Sequence, residues 1–271
     1  MGERKILFTD LDGTLLSDDK TISEKNVKAV KEALNQGHYI TVATGRAVES
    51  ARHVVRKLGL TLPGCYVIAY NGAVIYDSAS DRILMEKKIP MQYVQHLIEK
   101  ADEAGIYIQA YSNRHVLTRV HTKELSYYCK KTKMPYKIVP SVLDALTEET
   151  NKVLLIELDD KKKLERFQKE NLSWSEDKLS SFFSCDEYLE YCPLDTTKGA
   201  AISYLCNFLN IPIKNTIAVG DERNDIPMLE AAQLGIAVKN AKEEVKRAAE
   251  LVTENDNNHD AIAEIIEKYI L

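Results

Sequence analysis

The stretch Lys5-Ile-Leu-Phe-Thr-Asp-Leu-Asp-Gly-Thr-Leu-Leu16 decides the fold. Ile6 to Thr9 form a continuous apolar and β-branched run, the composition of a strand buried on both faces of a parallel sheet. The run ends on Asp10 and Asp12, one residue apart, followed by Gly13. Two carboxylates where such a strand leaves its sheet lie at the crevice in which open α/β sheets bind ligands. A polar turn closed by an Asx hydrogen bond accounts for the same residues, so the rest of the chain has to choose between the readings.

Outward from this stretch, strand and helix alternate. Thr21 and Glu24 have the spacing of a capping box ahead of Val27, Val30 and Leu34, and Gly37 closes that helix. Tyr39 to Ala43 reads as a second strand running into Thr44-Gly45-Arg46. A right-handed β-α-β crossover sets the two strand ends on one edge, with Thr44 facing Asp10. A helix near 47–58 and a strand at 66–70 follow, and Asn71-Gly72 predicts a tight hairpin into Val74 to Tyr76. From about 83 to 190 the pattern becomes α+β: a helix between Pro90 and Gly105, a hairpin at 106–120, helices near 123–131 and 161–170, and strands at 152–158, 182–184 and 188–191. Alternation resumes with a helix at 198–209, a strand at 216–219, a helix at 225–232, a strand at 236–238 and helices at 241–249 and 260–269. The expected architecture is an α/β core of residues 1–82 and 191–271 interrupted by an inserted domain of residues 83–190.

Composition narrows the function. The 271 residues carry a net charge of −5 without a long basic block, which disfavours nucleic acid as a partner. No apolar run approaches a membrane span and the first residues lead directly into a strand, so the expected location is the cytoplasm, with no membrane partner. The five cysteines form no Cys-x-x-Cys pair and the six histidines show no ligand spacing, so any metal is expected to be held by oxygen, as a hard cation such as Mg²⁺ is.

The strand ends offer Asp10, Asp12, Thr44, Lys198 at a helix start, and Gly220-Asp221-Glu222-Arg223-Asn224-Asp225. A carboxylate nucleophile, a second carboxylate as acid and base, cation and hydroxyl for phosphate oxygens and a distant carboxylate for a metal are the parts of a phosphoryl-transfer site. A lysine at a helix N-terminus opposes the helix dipole, so Lys198 needs a reason beyond solvation.

These segments, with Asn71-Gly72-Ala73 and Lys198-Gly199, resemble the full motif set of the haloacid dehalogenase-like phosphatases, and the long insertion resembles the Cof-type subfamily with its large α/β cap. The resemblance implies a Rossmann-like core and a phosphatase acting on small phosphate esters, such as sugar phosphates or phosphorylated cofactors, through an aspartyl-phosphate. It implies Asp10 as nucleophile and Asp12 as acid and base. Mg²⁺ is implied on the Asp10 and Asp221 side chains and the Asp12 carbonyl. Phosphate contacts are implied from the Leu11 and Gly45 amides, Thr44, Lys198 and Asn224, with Asp225 orienting Lys198. Arg46, Asn71, Arg114 and His115 are further candidates for substrate contact, each with a plain structural alternative. A phosphomutase shares nucleophile and metal, and a receiver-like phospho-switch shares the acidic pair; the second carboxylate and the insertion disfavour the switch. Lys239-Asn240-Ala241 and Asp260-Ala261-Ile262 depart from the family pattern and leave the loop around Asn240 open.

Overall fold

The computed structural model describes residues 3–112 and 114–271. They divide into two compact units, one of Met1–Gly45, Ala51–Met85 and Thr197–Leu271, the other of Arg46–Ser50 and Glu86–Thr196.

The first unit begins with β1 (Ile6–Asp10), buried throughout. Helix α1 (Glu24–Asn35) is capped by Ser23, whose hydroxyl accepts from the Asn26 N–H at 3.1 Å. The expected cap at Thr21 is therefore displaced by two residues, because the Thr21 hydroxyl is bonded to Ser17 in the preceding turn. Asn26, Ala29, Val30 and Ala33 form the buried face. β2 (Tyr39–Ala43), α2 (Val48–Lys57) and β3 (Cys65–Ala69) follow, with β1, β2 and β3 parallel. β4 (Val74–Asp77) returns antiparallel, as expected, but Ala69 pairs with Val74 and four residues make the connection. The expected two-residue hairpin does not form, since Tyr70 and Asn71 take positive φ of 49° and 54° in a one-turn 3-10 helix that buries Asn71. β5 (Arg82–Glu86) lies beside β4 at the end of the sheet.

The second unit contains α3 (Met91–Ala104), which runs from Pro90 to a left-handed Gly105, β6 (Tyr107–Tyr111), β7 (Val116–Thr118) and α4 (Lys123–Thr132). β8 (Tyr136–Ile138), α5 (Val142–Ala145), β9 (Val153–Ile156), α6 (Lys161–Ser175), β10 (Leu179–Cys185) and β11 (Tyr188–Pro193) complete it. Its sheet has the order β10-β11-β9-β6-β7-β8. Val94, Leu97, Leu155, Leu164, Phe167 and Leu189 are central to an apolar core. A buried ion pair also lies in this unit: Lys152 Nζ is 3.1 Å from Glu190 and 5.3 Å from the Tyr111 ring centre, and Ser184 donates to the other Glu190 oxygen at 2.5 Å.

The chain re-enters the first unit at Thr197 with α7 (Lys198–Leu209), β12 (Thr216–Gly220), α8 (Ile226–Ala231), β13 (Leu234–Ala237), α9 (Glu243–Ala248), β14 (Leu251–Val252) and α10 (Ala261–Ile265), extended by a π turn at Ile266–Ile270. The eight-stranded order is β14-β13-β12-β1-β2-β3-β4-β5, parallel from β14 to β3. β1 is thus central. Asp10 registers with Ala43, and Thr9 with Val219, so the residues after β1, β2, β3 and β12 emerge on one edge. Helices flanking a mostly parallel sheet make this an α/β fold.

Candidate active site

Asp10 ends the central strand and is only 6% exposed. Lys198, the first residue of α7, places its ammonium 2.5 Å from Asp10 Oδ1 and 2.6 Å from Asp225 Oδ1. Asp225 fixes its second oxygen by accepting from the Asp221 and Glu222 amides, each at 3.0 Å. Helix α7 reaches this position because residue 199 is glycine: a Cβ there would lie 2.1 Å from the Pro227 carbonyl oxygen. The unfavourable helix dipole at Lys198 is offset by the two carboxylates.

Asp221, just after β12, accepts from the Thr14 hydroxyl at 2.6 Å. Gly13, at φ +90°, lies so close to this carboxylate that a Cβ would meet Asp221 Oδ2 at 2.5 Å. Oxygens of Asp10, Asp221 and Asp225 lie within 4.8 Å of one another. Burial pushes the Asp10 carboxyl well above its usual range; Lys198 opposes this, while Asp225 and Asp221 add to it. Asp221 is pushed up to about 7, first by burial and then by Asp225, against the pull of the Thr14 hydrogen bond and Lys198. Lys198 is raised, because Asp10 and Asp225 together outweigh the effect of burial. Three carboxylates share one ammonium, and that excess of negative oxygen donors fits a hard divalent cation.

On the neighbouring strand ends, Thr44 is buried and its carbonyl accepts from the Asn71 N–H at 3.0 Å. Gly45 packs on the Asn71 amide, with room for a Cβ only at 3.1 Å. The Asn71 side chain in turn accepts from Asn224 at 2.9 Å. Asn71 therefore joins the residues after β2 and β12, beyond the turn role sufficient to explain it in sequence. Leu11 is fully buried, and its carbonyl accepts from Leu16. Asp12 pairs with Lys20 at 3.0 Å, both side chains partly exposed.

Arg46, Arg114 and His115 belong to the second unit. Arg46 donates to Ser50, which donates to the Thr132 carbonyl. The His115 amide bonds the Ser112 hydroxyl, and burial with Lys137 and Arg114 lowers the imidazole below its ordinary value. Thr14 and Lys20 were not anticipated as partners of the acidic residues. Thr14 had a signal, since it falls two residues after Asp12; Lys20 had none, because its approach depends on the turn at 17–20, in which Lys20 takes φ 59°.

Fold and site together define a two-unit α/β enzyme with a cluster of carboxylates at the ends of parallel strands. The chain belongs to the haloacid dehalogenase-like hydrolases, a family that matches it over residues 7–266. A Streptococcus pyogenes protein named as a phosphatase is 29% identical over 278 residues, covering 98% of each chain. A Bacillus subtilis 5-amino-6-(5-phospho-D-ribitylamino)uracil phosphatase is 26% identical over 267 residues, covering 98% of this chain and 96% of its own. A solved haloacid dehalogenase-like hydrolase from Bacteroides thetaiotaomicron has a TM-score of 0.88 at 28% identity, covering 98% of this chain and 99% of its own. Among the described residues, no helix is long and apolar enough to cross a membrane.

Proposed function

We propose that the protein is a Mg²⁺-dependent phosphatase of small phosphorylated metabolites, such as sugar phosphates or phosphorylated cofactors, working through an aspartyl-phosphate. The observation that carries this reading is the Asp10 carboxylate at the end of the central strand, 2.5 Å from the buried Lys198 ammonium and beside Asp221. The relatives named as phosphatases, similar over nearly their whole length, support it.

Asp10 attacks phosphorus, forming an O–P bond as the ester P–O bond breaks, and Asp12 gives its proton to the departing alkoxide. Asp12 then takes a proton from water, which attacks phosphorus and expels the Asp10 carboxylate with inorganic phosphate. Lys198 neutralises charge on the transferring group. Thr44, the Leu11 and Gly45 amides and Asn224 hold phosphate oxygens, and Asp225 orients Lys198. The Asp10 and Asp221 side chains and the Asp12 carbonyl would hold Mg²⁺, which supplies Lewis-acid charge neutralisation between carboxylate and phosphate. Arg46, Asn71, Arg114 and His115 are the candidates for contact with the substrate.

The test is phosphate release from a panel of small phosphate esters with and without Mg²⁺. Release that needs Mg²⁺ and is lost in Asp10→Asn is expected, and Asp221→Ala should raise the Mg²⁺ requirement at least tenfold, about 1.4 kcal/mol of lost binding. Full activity in EDTA sinks the metal assignment. Turnover that requires an activating bisphosphate would instead identify a phosphomutase.

A further inference from the structure

A loop near the C-terminus holds the segment that carries Asp12. The Asn240 side-chain amide donates to the Gly13 carbonyl at 2.8 Å. Its side-chain oxygen accepts from the Asn257 N–H at 3.0 Å. Asn257, 6% exposed, donates from its own side chain to the Leu16 carbonyl and to Asp18 Oδ1, each at 3.0 Å. The loop supplying Asn257 is itself fixed where it begins. The Thr253 hydroxyl accepts from the Lys239 amide and donates to the Asn255 carbonyl, while Glu264 accepts from the Glu254 and Asn255 amides.

From these contacts we infer that Asn240 and Asn257 are positioning residues for the Asp12 segment, a role that rests on the phosphatase reading given above. Gly13 is the freest joint in that segment, because a glycine at φ +90° has no side chain to restrict its peptide. Its carbonyl direction is set by Asn240. The next residue, Thr14, bonds Asp221, so a rotated peptide after Gly13 disturbs two acidic groups together. Asn257 pins the other end of the segment at Leu16. Asp12, between Asp10 and Gly13, is aimed by a backbone tethered to residues more than two hundred positions away.

Misaiming a general acid has a kinetic signature. An alkyl phosphate needs a proton on its poor leaving group in the first step, whereas p-nitrophenyl phosphate does not, and kcat/KM reports that step. The variant Asn240→Asp keeps the size and the acceptor facing Asn257 but removes the donor to Gly13. It should lower kcat/KM for glycerol 1-phosphate about three- to tenfold, the range of one net hydrogen bond, and leave p-nitrophenyl phosphate within about twofold. Asn257→Ala, which loses the donor to Leu16 and to Asp18 without adding a charge, should show the same leaving-group bias. Melting midpoints are measured alongside. Equal losses on both esters, no loss on either, or failure of both variants to fold would show a merely structural network and overturn the positioning role. Wild-type protein that cleaves neither this pair nor any ester of the wider panel would instead overturn the phosphatase reading itself.

Discussion

Among the described residues two lysines are buried, and their surroundings differ in one respect that matters. Lys152, in the second unit, and Lys198, in the first, are 2% and 1% exposed, and each has its basicity raised although burial alone would lower it. Lys152 meets one carboxylate, Glu190, and an aromatic ring. Lys198 bridges two carboxylates with a third nearby. A matched pair balances its own charge, whereas three acids around one base leave an excess of negative charge, which suits the cation proposed above. Burial therefore does not distinguish the two lysines; the local charge count does.

Substitutions on both sides test this contrast. The largest effect belongs to Asp10→Asn, whose amide cannot attack phosphorus: turnover should fall by roughly four orders of magnitude or more, read as phosphate release. Lys198→Ala should lower kcat/KM for every substrate of a panel together, by about 10²- to 10³-fold, because it acts on the phosphoryl group they share. A loss confined to a few substrates would place it on the leaving group instead. Lys152→Met should strand Glu190 and cost about 3–5 kcal/mol of stability in denaturant unfolding, with kcat per folded molecule within about twofold. Lys152→Met combined with Glu190→Leu should recover most of that loss, and a change in substrate preference in either variant would make the second pair a binding element. Smallest are Arg114→Ala and His115→Ala, which should alter the ranking of substrates by kcat/KM by less than about tenfold.

Sequence made the strand-end residues legible because β-α-β order and handedness leave little freedom in where parallel strands terminate. Asp10, Thr44 and Asp221 follow from that rule, and Lys198 from the cost of a cation at a helix start. What stayed hidden depends on contacts that leave no period. Ser23 in place of Thr21 is a choice between two equally good caps, made by the Ser17–Thr21 hydrogen bond. β8 and β14 are exposed strands of three and two residues, too short to alternate. Asn71 read as half of a hairpin signal, while its side chain accepts a hydrogen bond from Asn224, 153 positions later. Asn257 lies in the polar run Glu254 to Asn258, which carries no apolar period, yet it is fixed by the Leu16 carbonyl.

The central place of β1 also shapes how the chain is made. Ile6 pairs with Tyr39 on one side and with Thr216 on the other, and at ribosomal rates the second partner follows the first by roughly 10 to 40 s. Throughout that interval one edge of the nascent sheet stays open, a template for wrong pairing. The intervening β6 to β11 can close their own sheet while the edge waits, since their ladder pairings all lie among themselves. A chain released before β12 would carry Asp10 without its strand neighbour, and such fragments should depend on chaperones far more than the full-length protein does.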